Sequence, residues 1–359
     1  MLIIYHLSSI VRYTCENNIY TMNRKFKIGI VGVGKIFNKH YKVLKKLKKY
    51  YDLKCVCEID EDKISKIKSN LDIPIYQTLD QMVKNNSLDL VSLCTPSGIH
   101  AEQAIFLSEH KIDIVTEKPI AINLNDADDM IKSCESNGVN LFVVKPLRYN
   151  KVVNLLRNAV SENRFGKIHL INMNIFWTRP QSYYDEANWR GTIQLDGGAL
   201  MNQANHYIDI LNYLFGIPEK IQCFSKTERN IETEDSTILN IKWSNGILCS
   251  VNVTMLTFEK NLEDSITIIG EDGTVKVSSI SKNIVDFWKF KSSKNYDNNF
   301  SQIEEFDPLL GHENFYNDVY YKLNENNKKF IDLKSRETLK IIVDAINSSK
   351  INKSVKISL

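Results

Sequence analysis

The sequence predicts an α/β protein in which an N-terminal doubly wound parallel sheet is followed by an α+β domain with a large, mainly antiparallel sheet. Three observations carry that expectation. Short apolar runs alternate with amphipathic stretches from Lys27 to Val144, a glycine turn follows the first run directly, and from Pro218 to Ser279 runs of period two lie between turn signals. A chain of 359 residues also exceeds what one hydrophobic core organises. The expected division is an extension over 1–24, a first domain over 25–146, a second over 147–340 and a C-terminal segment over 341–359. The last helix, Leu333–Ser349, is expected to return to the first domain.

Taken in order, KIGIV, LKCVCE, LDLVSLC, IDIVTE and NLFVV read as parallel strands, because their unbroken apolarity suits strands covered on both faces. Asn123 reads as the cap of a helix over Leu124–Asn137. The first strand runs into Gly32-Val33-Gly34-Lys35-Ile36-Phe37, a G-x-G-x-x-F form of the Rossmann dinucleotide turn. Gly32 makes the turn, and Gly34 lets the backbone approach a pyrophosphate at the start of the helix opened by Lys35 and Ile36. Phe37 stands where a small residue is usual, which implies a wider helix–strand gap or a ring rotated outward. Glu58, 24 positions past Gly34, is placed to accept the adenosine ribose hydroxyls, with Asp60 as competitor. A carboxylate there with no arginine after it favours NAD over NADP. In the second half PEKIQCFSK, DSTILNIKWS, GILCSVNVTML, EDSITIIG and GTVKVSS alternate as antiparallel strands.

A net charge of +3 gives no reason to expect nucleic acid, and the lysines from Lys42 to Lys54 read as the solvated face of an early helix. Seven cysteines, without C-x-x-C or zinc spacing, read as reduced core thiols of a cytoplasmic protein with no metal. The N-terminus lacks the basic leader of a signal peptide and the length of a membrane span, and with Met22 just before the first strand, residues 1–21 read as a dispensable extension.

Three further segments, Cys94-Thr95-Pro96-Ser97 with His100, Glu117-Lys118-Pro119, and Asp196-Gly197-Gly198 with His206 and Asp209, together resemble the Gfo/Idh/MocA oxidoreductases. The resemblance extends over ITIIGEDGTVKV and GHENFYNDV, and so over most of the chain from Lys27. It implies that Thr95, Pro96, Ser97 and His100 lie along the cofactor, and that Glu117 and Lys118 bring the lysine beside nicotinamide and substrate. Within the family, residues 179–211 are similar to bacterial dehydrogenases that oxidise the 3-hydroxyl of UDP-N-acetylglucosaminuronic acid for surface-polysaccharide amino sugars. Asn202, where most members carry aspartate, agrees with that branch. The resemblance further implies a homo-oligomer, dimer or tetramer, and raises 2-oxoglutarate as a reoxidant in place of NADH release.

Oxidising a secondary alcohol with NAD needs a base for the hydroxyl proton, and Lys118 and His206 are the candidates. Lys118 is favoured, since burial and a cationic cofactor both disfavour its ammonium form. On a helix entered through Gly197-Gly198, Asn202 and His206 would share one face at i and i+4, with Asp209 either orienting the imidazole or capping local polarity. Leu200, Ile208, Leu211 and Leu214 read as that helix's apolar packing.

Five of the nine arginines, Arg148, Arg157, Arg164, Arg179 and Arg190, fall between 148 and 190. Arginine forks bind carboxylate and phosphate, so the window points to an anionic substrate such as a nucleotide sugar. Arg157 and Arg164 read as surface residues. Arg148, Arg179 and Arg190 remain candidates, with Tyr149, Asn150, Tyr183, Tyr184 and Trp189 as sugar or uracil contacts. The alternatives are oxidation of another sugar or an inositol, and a non-catalytic NAD-binding regulator.

Overall fold

The computed structural model describes residues 24–69, 71–294, 297, 307–325 and 329–358, so the expected extension over 1–21 lies outside the described residues. The first sheet holds β1 (Phe26–Val31), β2 (Tyr51–Cys57), β3 (Ile75–Tyr76), β4 (Leu90–Leu93), β5 (Asp113–Thr116) and β6 (Leu141–Val143). Its strands are all parallel, in the order β3-β2-β1-β4-β5-β6. The strand order reverses beside β1, which opens a crevice at the carboxyl ends of β1 and β4. The crossovers are α1 (Phe37–Lys46), α2 (Glu61–Lys68), α3 (Leu79–Asn85), α4 (His100–Glu109) and α5 (Leu124–Asn137), the last capped by Asn123 as expected. β3, only two residues long, gives no periodic signal and was not expected.

Phe37 is buried and stacks on Tyr41, so the ring is turned inward and not to solvent. The lysine run divides between α1, which ends at Lys46, and β2, which holds Lys54; it is not one helical face.

The second domain comprises α6 (Lys151–Ser161), β7 (Ile168–Phe176), α7 (Gln181–Asp185), α8 (Asn205–Phe215), β8 (Lys220–Lys226), β9 (Ser236–Lys242), β10 (Leu248–Thr254), β11 (Glu263–Gly270), β12 (Gly273–Ser279) and β13 (Ile284–Phe290). With β14 (Val355–Lys356) its strands form one sheet, β13-β12-β11-β7-β10-β9-β8-β14. The sheet is mixed, because the central β7, absent from the sequence expectation, runs parallel to β10. The inner face, including Ile171, Met173, Val251 and Ile266, packs in one core with Ile208 and Leu211 of α8. By the same alternation Leu170, Phe224, Ile238, Leu248 and Ile269 stand exposed on the outer face.

Two late helices cross between the domains. α9 (Pro308–Asn324), in the stretch assigned to the second domain, places Phe315, Tyr316, Val319 and Tyr320 in the core that also holds Phe37 and Tyr51. It packs against α1 beside Phe37. α10 (Leu333–Ile351) packs chiefly on α8 and β8, and reaches the first domain through α5, where Arg336 forks onto Asp128. Among the described residues no helix is long and apolar enough to cross a membrane.

Candidate active site

The cofactor end is built on the turn after β1. Gly32 has φ +91°, and a Cβ there would stand 2.8 Å from the Cys94 carbonyl, so only glycine fits. Gly34, by contrast, has no other atom within 4 Å of its Cβ position, leaving the open backbone that a pyrophosphate needs. Glu58 accepts the Val33 N–H at 2.6 Å, which anchors the carboxylate at the glycine turn. Asp60 caps α2 through the N–H groups of Asp62 and Lys63, so the competition between the two acids favours Glu58. These features fit NAD, whose nicotinamide when bound accepts the hydride from the substrate carbon.

Thr95, Pro96 and Ser97 form the turn after β4, with Thr95 held by Gln103. A Cβ on Gly98 would fall 1.9 Å from the Gln194 carbonyl, so the second domain closes directly on this turn. Both ring nitrogens of His100 meet carbonyl oxygens, Thr95 O and Pro119 O, each at 3.0 Å. His100 therefore ties two cofactor turns together instead of reaching the cofactor itself. Glu117 is likewise inward, against His40 and His312. The Lys118–Pro119 peptide is cis.

Lys118 Nζ crosses the cleft to Asn202, donating to its side-chain Oδ1 at 2.7 Å and its backbone oxygen at 3.1 Å. Asn202 Nδ2 in turn donates to Asp196 Oδ1 at 2.5 Å, which turns the amide oxygen toward the lysine. Asn202 is not on the helix with His206: α8 starts at Asn205, and 199–204 are turns. The chain departs from helix because Gly197 and Gly198 take φ +81° and +100°, while Ala199 N–H bonds the Glu234 carbonyl. Glu234 lies against Gly198, where a Cβ would stand 2.4 Å from its Oε2, and its Oε1 accepts the Leu200 N–H.

Burial holds the Lys118 ammonium below its ordinary range; Glu117 and Asp196 oppose the shift, and Lys145 and Arg179 add to it. Burial, with the charges of Lys118 and Lys145, holds His206 well below 6.5, so its imidazole is neutral. Among the described residues nothing hydrogen-bonds the His206 ring. A neutral lysine amine has two N–H bonds, and both go to Asn202; the lone pair is then available to a substrate hydroxyl. An aspartate at 202 would face Asp196 and stabilise the ammonium, which gives the asparagine a physical reason.

Asp209 does not orient His206. Its carboxylate takes the Arg148 fork at 2.7 and 2.8 Å, Lys145 at 3.3 Å and the Thr338 hydroxyl at 3.0 Å, and these cations hold it far below the usual carboxylate range despite burial. Arg148 is thereby occupied within the protein. Tyr149 donates to Asp318, and Asn150 is a buried cap of α6 bonded to Ile280, so neither is placed as a sugar contact. Arg164 is 7% exposed and paired with Asp297, not a surface residue, and Arg157 lies on Tyr213. Lys145 was missed: nothing in VVKPLRYN shows that it reaches Asn205 and Asp209, 60 and 64 positions on.

Three cations converge on the ring of Tyr183: Arg190 at 4.3 Å, Lys35 of the glycine turn at 5.2 Å and Arg179 at 5.3 Å. Among the described residues Glu186 is the one carboxylate paired with them, meeting Lys35 and Arg190. Tyr184 is buried behind, edge-on to Tyr183.

Fold and site together define an NAD-dependent dehydrogenase of sugars or polyols. The chain belongs to the GFO/IDH/MocA oxidoreductase family: residues 26–145 match its NAD-binding Rossmann fold and 153–276 its C-terminal domain. The WlbA dehydrogenase from Bordetella pertussis, solved with NADH and UDP-GlcNAcA, is 35% identical, with TM-score 0.87 over 94% of this chain and 98% of that one. The WlbA dehydrogenase from Chromobacterium violaceum, solved with the same ligands, is 37% identical, with TM-score 0.88 over 94% and 97%. Myo-inositol 2-dehydrogenase of Thermotoga maritima is 22% identical over 267 residues, 72% of this chain and 77% of the relative.

Proposed function

We propose that the enzyme oxidises the 3-hydroxyl of a UDP-sugar, UDP-N-acetylglucosaminuronic acid, to the 3-keto sugar, with Lys118 as the base. The convergence of Lys35, Arg179 and Arg190 on Tyr183 carries this reading, since three cations with one carboxylate suit an anion and not a neutral polyol. Likeness to two dehydrogenases solved with UDP-GlcNAcA supports it.

The residues divide the work as follows. Lys118 accepts the hydroxyl proton, Asn202 and Asp196 aim its amine, and neutral His206 hydrogen-bonds the same hydroxyl or relays the proton. Arg179, whose charge is felt at Lys118, and Arg190 hold the uronate or diphosphate, with Tyr184 backing Tyr183. The test is reduction of NAD by purified protein given UDP-GlcNAcA, UDP-GlcNAc or myo-inositol, with and without 2-oxoglutarate. Turnover with UDP-GlcNAcA alone among them is expected; turnover with the inositol and none with the uronate would overturn the reading. A 2-oxoglutarate-dependent gain would show that the cofactor is reoxidised in place. A homo-oligomer is proposed with it, formed through the outer face of the second sheet.

A further inference from the structure

The turn that carries Lys118 is gripped from within the protein by groups drawn from three distant parts of the chain. Glu117, 7% exposed, accepts the backbone N–H of Lys118 at Oε2 (3.2 Å). Its Oε1 accepts from His40 Nε2 of α1 at 2.8 Å and faces His312 Nε2 of α9 at 3.7 Å, within ion-pair range but beyond a hydrogen bond. Each histidine is fixed by its other nitrogen: His312 Nδ1 donates to Pro308 O at 2.8 Å, and His40 Nδ1 meets the hydroxyls of Tyr316 at 2.7 Å and Ser92 at 3.1 Å. Burial alone would push Glu117 up, yet the two histidines hold it well below the usual carboxylate range. The carboxylate is therefore charged. β5 ends at Thr116, and beyond the Glu117 N–H bond to Leu93 the backbone leaves the sheet. From there the Glu117 carboxylate, with His100 on Pro119, governs where the turn stands.

We propose that His312 is a positioning residue for the reaction: from α9 it holds Glu117, and through Glu117 it sets where Lys118 Nζ meets Asn202 and the substrate hydroxyl. This rests on the assignment of Lys118 as the base. The three side chains also bring one donor atom each within 4.8 Å of one another, as a divalent cation would require. However, His40 and Glu117 are already closed to 2.8 Å, whereas ligands of a tetrahedral zinc stand about 3.3 Å apart. The direct His40–Glu117 hydrogen bond is the arrangement that fits.

The test compares His312→Asn, which keeps a donor for Pro308 O but does not reach Glu117, with His312→Gln, which reaches Glu117. Both are full-length holoenzyme, assayed with whichever sugar the wild type oxidises, so a wrong choice of sugar leaves the test intact. If Lys118→Ala retains turnover, the assignment of the base fails by itself, independently of His312. For His312→Asn, kcat is expected to fall by at least about tenfold, as small misplacements of a reacting group do, with sugar KM within about twofold. His312→Gln is expected to restore most of the rate. A His312→Asn variant with kcat within about twofold of wild type, or a His312→Gln variant no faster than His312→Asn, would overturn the proposal. So would a stoichiometric metal ion in the purified wild type that both variants lack.

Discussion

Lys118 and Asn202, 84 positions apart, meet through one amine and two oxygens, which fixes the direction of Nζ before substrate arrives. In its proposed role as base, Lys118 is aimed by its partner's amide as much as by its own turn. Lys118→Met is therefore expected to lower kcat by about 10²–10⁴-fold with NADH affinity unchanged, the range of a lost general base. Asn202→Ala, which leaves the amine unaimed, is expected to lose less. Steady-state kinetics with NADH fluorescence titration reads both, and near-normal turnover in Lys118→Met would remove the lysine from the mechanism.

The pH profile gives the sign of the electrostatics. With Lys118 as the proposed base, activity is expected to rise with pH through the Lys118 pKa, as the amine becomes free. Among the charged groups acting on it, Glu117 and Asp196 raise that pKa, Lys145 and Arg179 lower it, and burial outweighs them all. Asp196→Asn removes one raising charge, so the rising limb of kcat against pH is expected to move toward acid. A shift toward alkali would contradict the assignment of the amine as base.

Burial raises the Glu234 carboxyl to about 7. A carboxyl raised on folding takes up a proton more tightly in the native state, so its contribution is favourable at low pH and is lost as pH rises from about 4.3 to 7. Glu234→Gln, which can still accept the Leu200 N–H, is expected to be more stable than wild type above pH 7 by about 2–4 kcal/mol. The advantage should vanish near pH 4. Urea denaturation at both pH values checks this, and a pH-independent difference would refute it.

Asp209→Asn leaves Lys145 and Arg148 buried beside a neutral amide. The expected cost is about 3–5 kcal/mol of stability, as for a buried pair deprived of one partner. A loss of turnover with unchanged melting temperature would instead restore Asp209 to the role of orienting His206.

The outer sheet face supplies the last expectation. Ile238→Asp, directly opposite exposed Phe224 on the neighbouring strand, should lower the mass found by light scattering to that of a smaller assembly. An unchanged oligomer would place the interface elsewhere.

The parallel sheet was legible because strands buried on both faces are written as unbroken apolar runs, and the glycine turn because Gly32 has no substitute at its φ. β7 was not read as a strand although Ile171, Met173 and Ile175 alternate with Asn172 and Asn174; the outward-facing Leu170, apolar where the pattern asks for polar, blurs its start. Lys118, Asn202 and His206 were singled out by motif, but the geometry of the last two was misjudged: i and i+4 describes a helix, and the sequence does not show Glu234 pulling 198–200 out of one. Glu117 with His312 and Lys145 with Asp209 were invisible, because spacing reports which face a residue shares within its own element and not what arrives from another.

The place of α9 bears on how the protein is made. Its aromatic residues complete the core against α1 and β1, yet they leave the ribosome after β7 to β13 of the second sheet have been synthesised. The first domain cannot finish folding as it emerges and must wait, with Phe26, Phe37 and Tyr51 short of cover, for about 170 residues more, at roughly 5–20 residues per second. A fragment ending at β6 should therefore aggregate instead of binding NAD, and a nascent chain should gain protease resistance only after Asn324 has emerged.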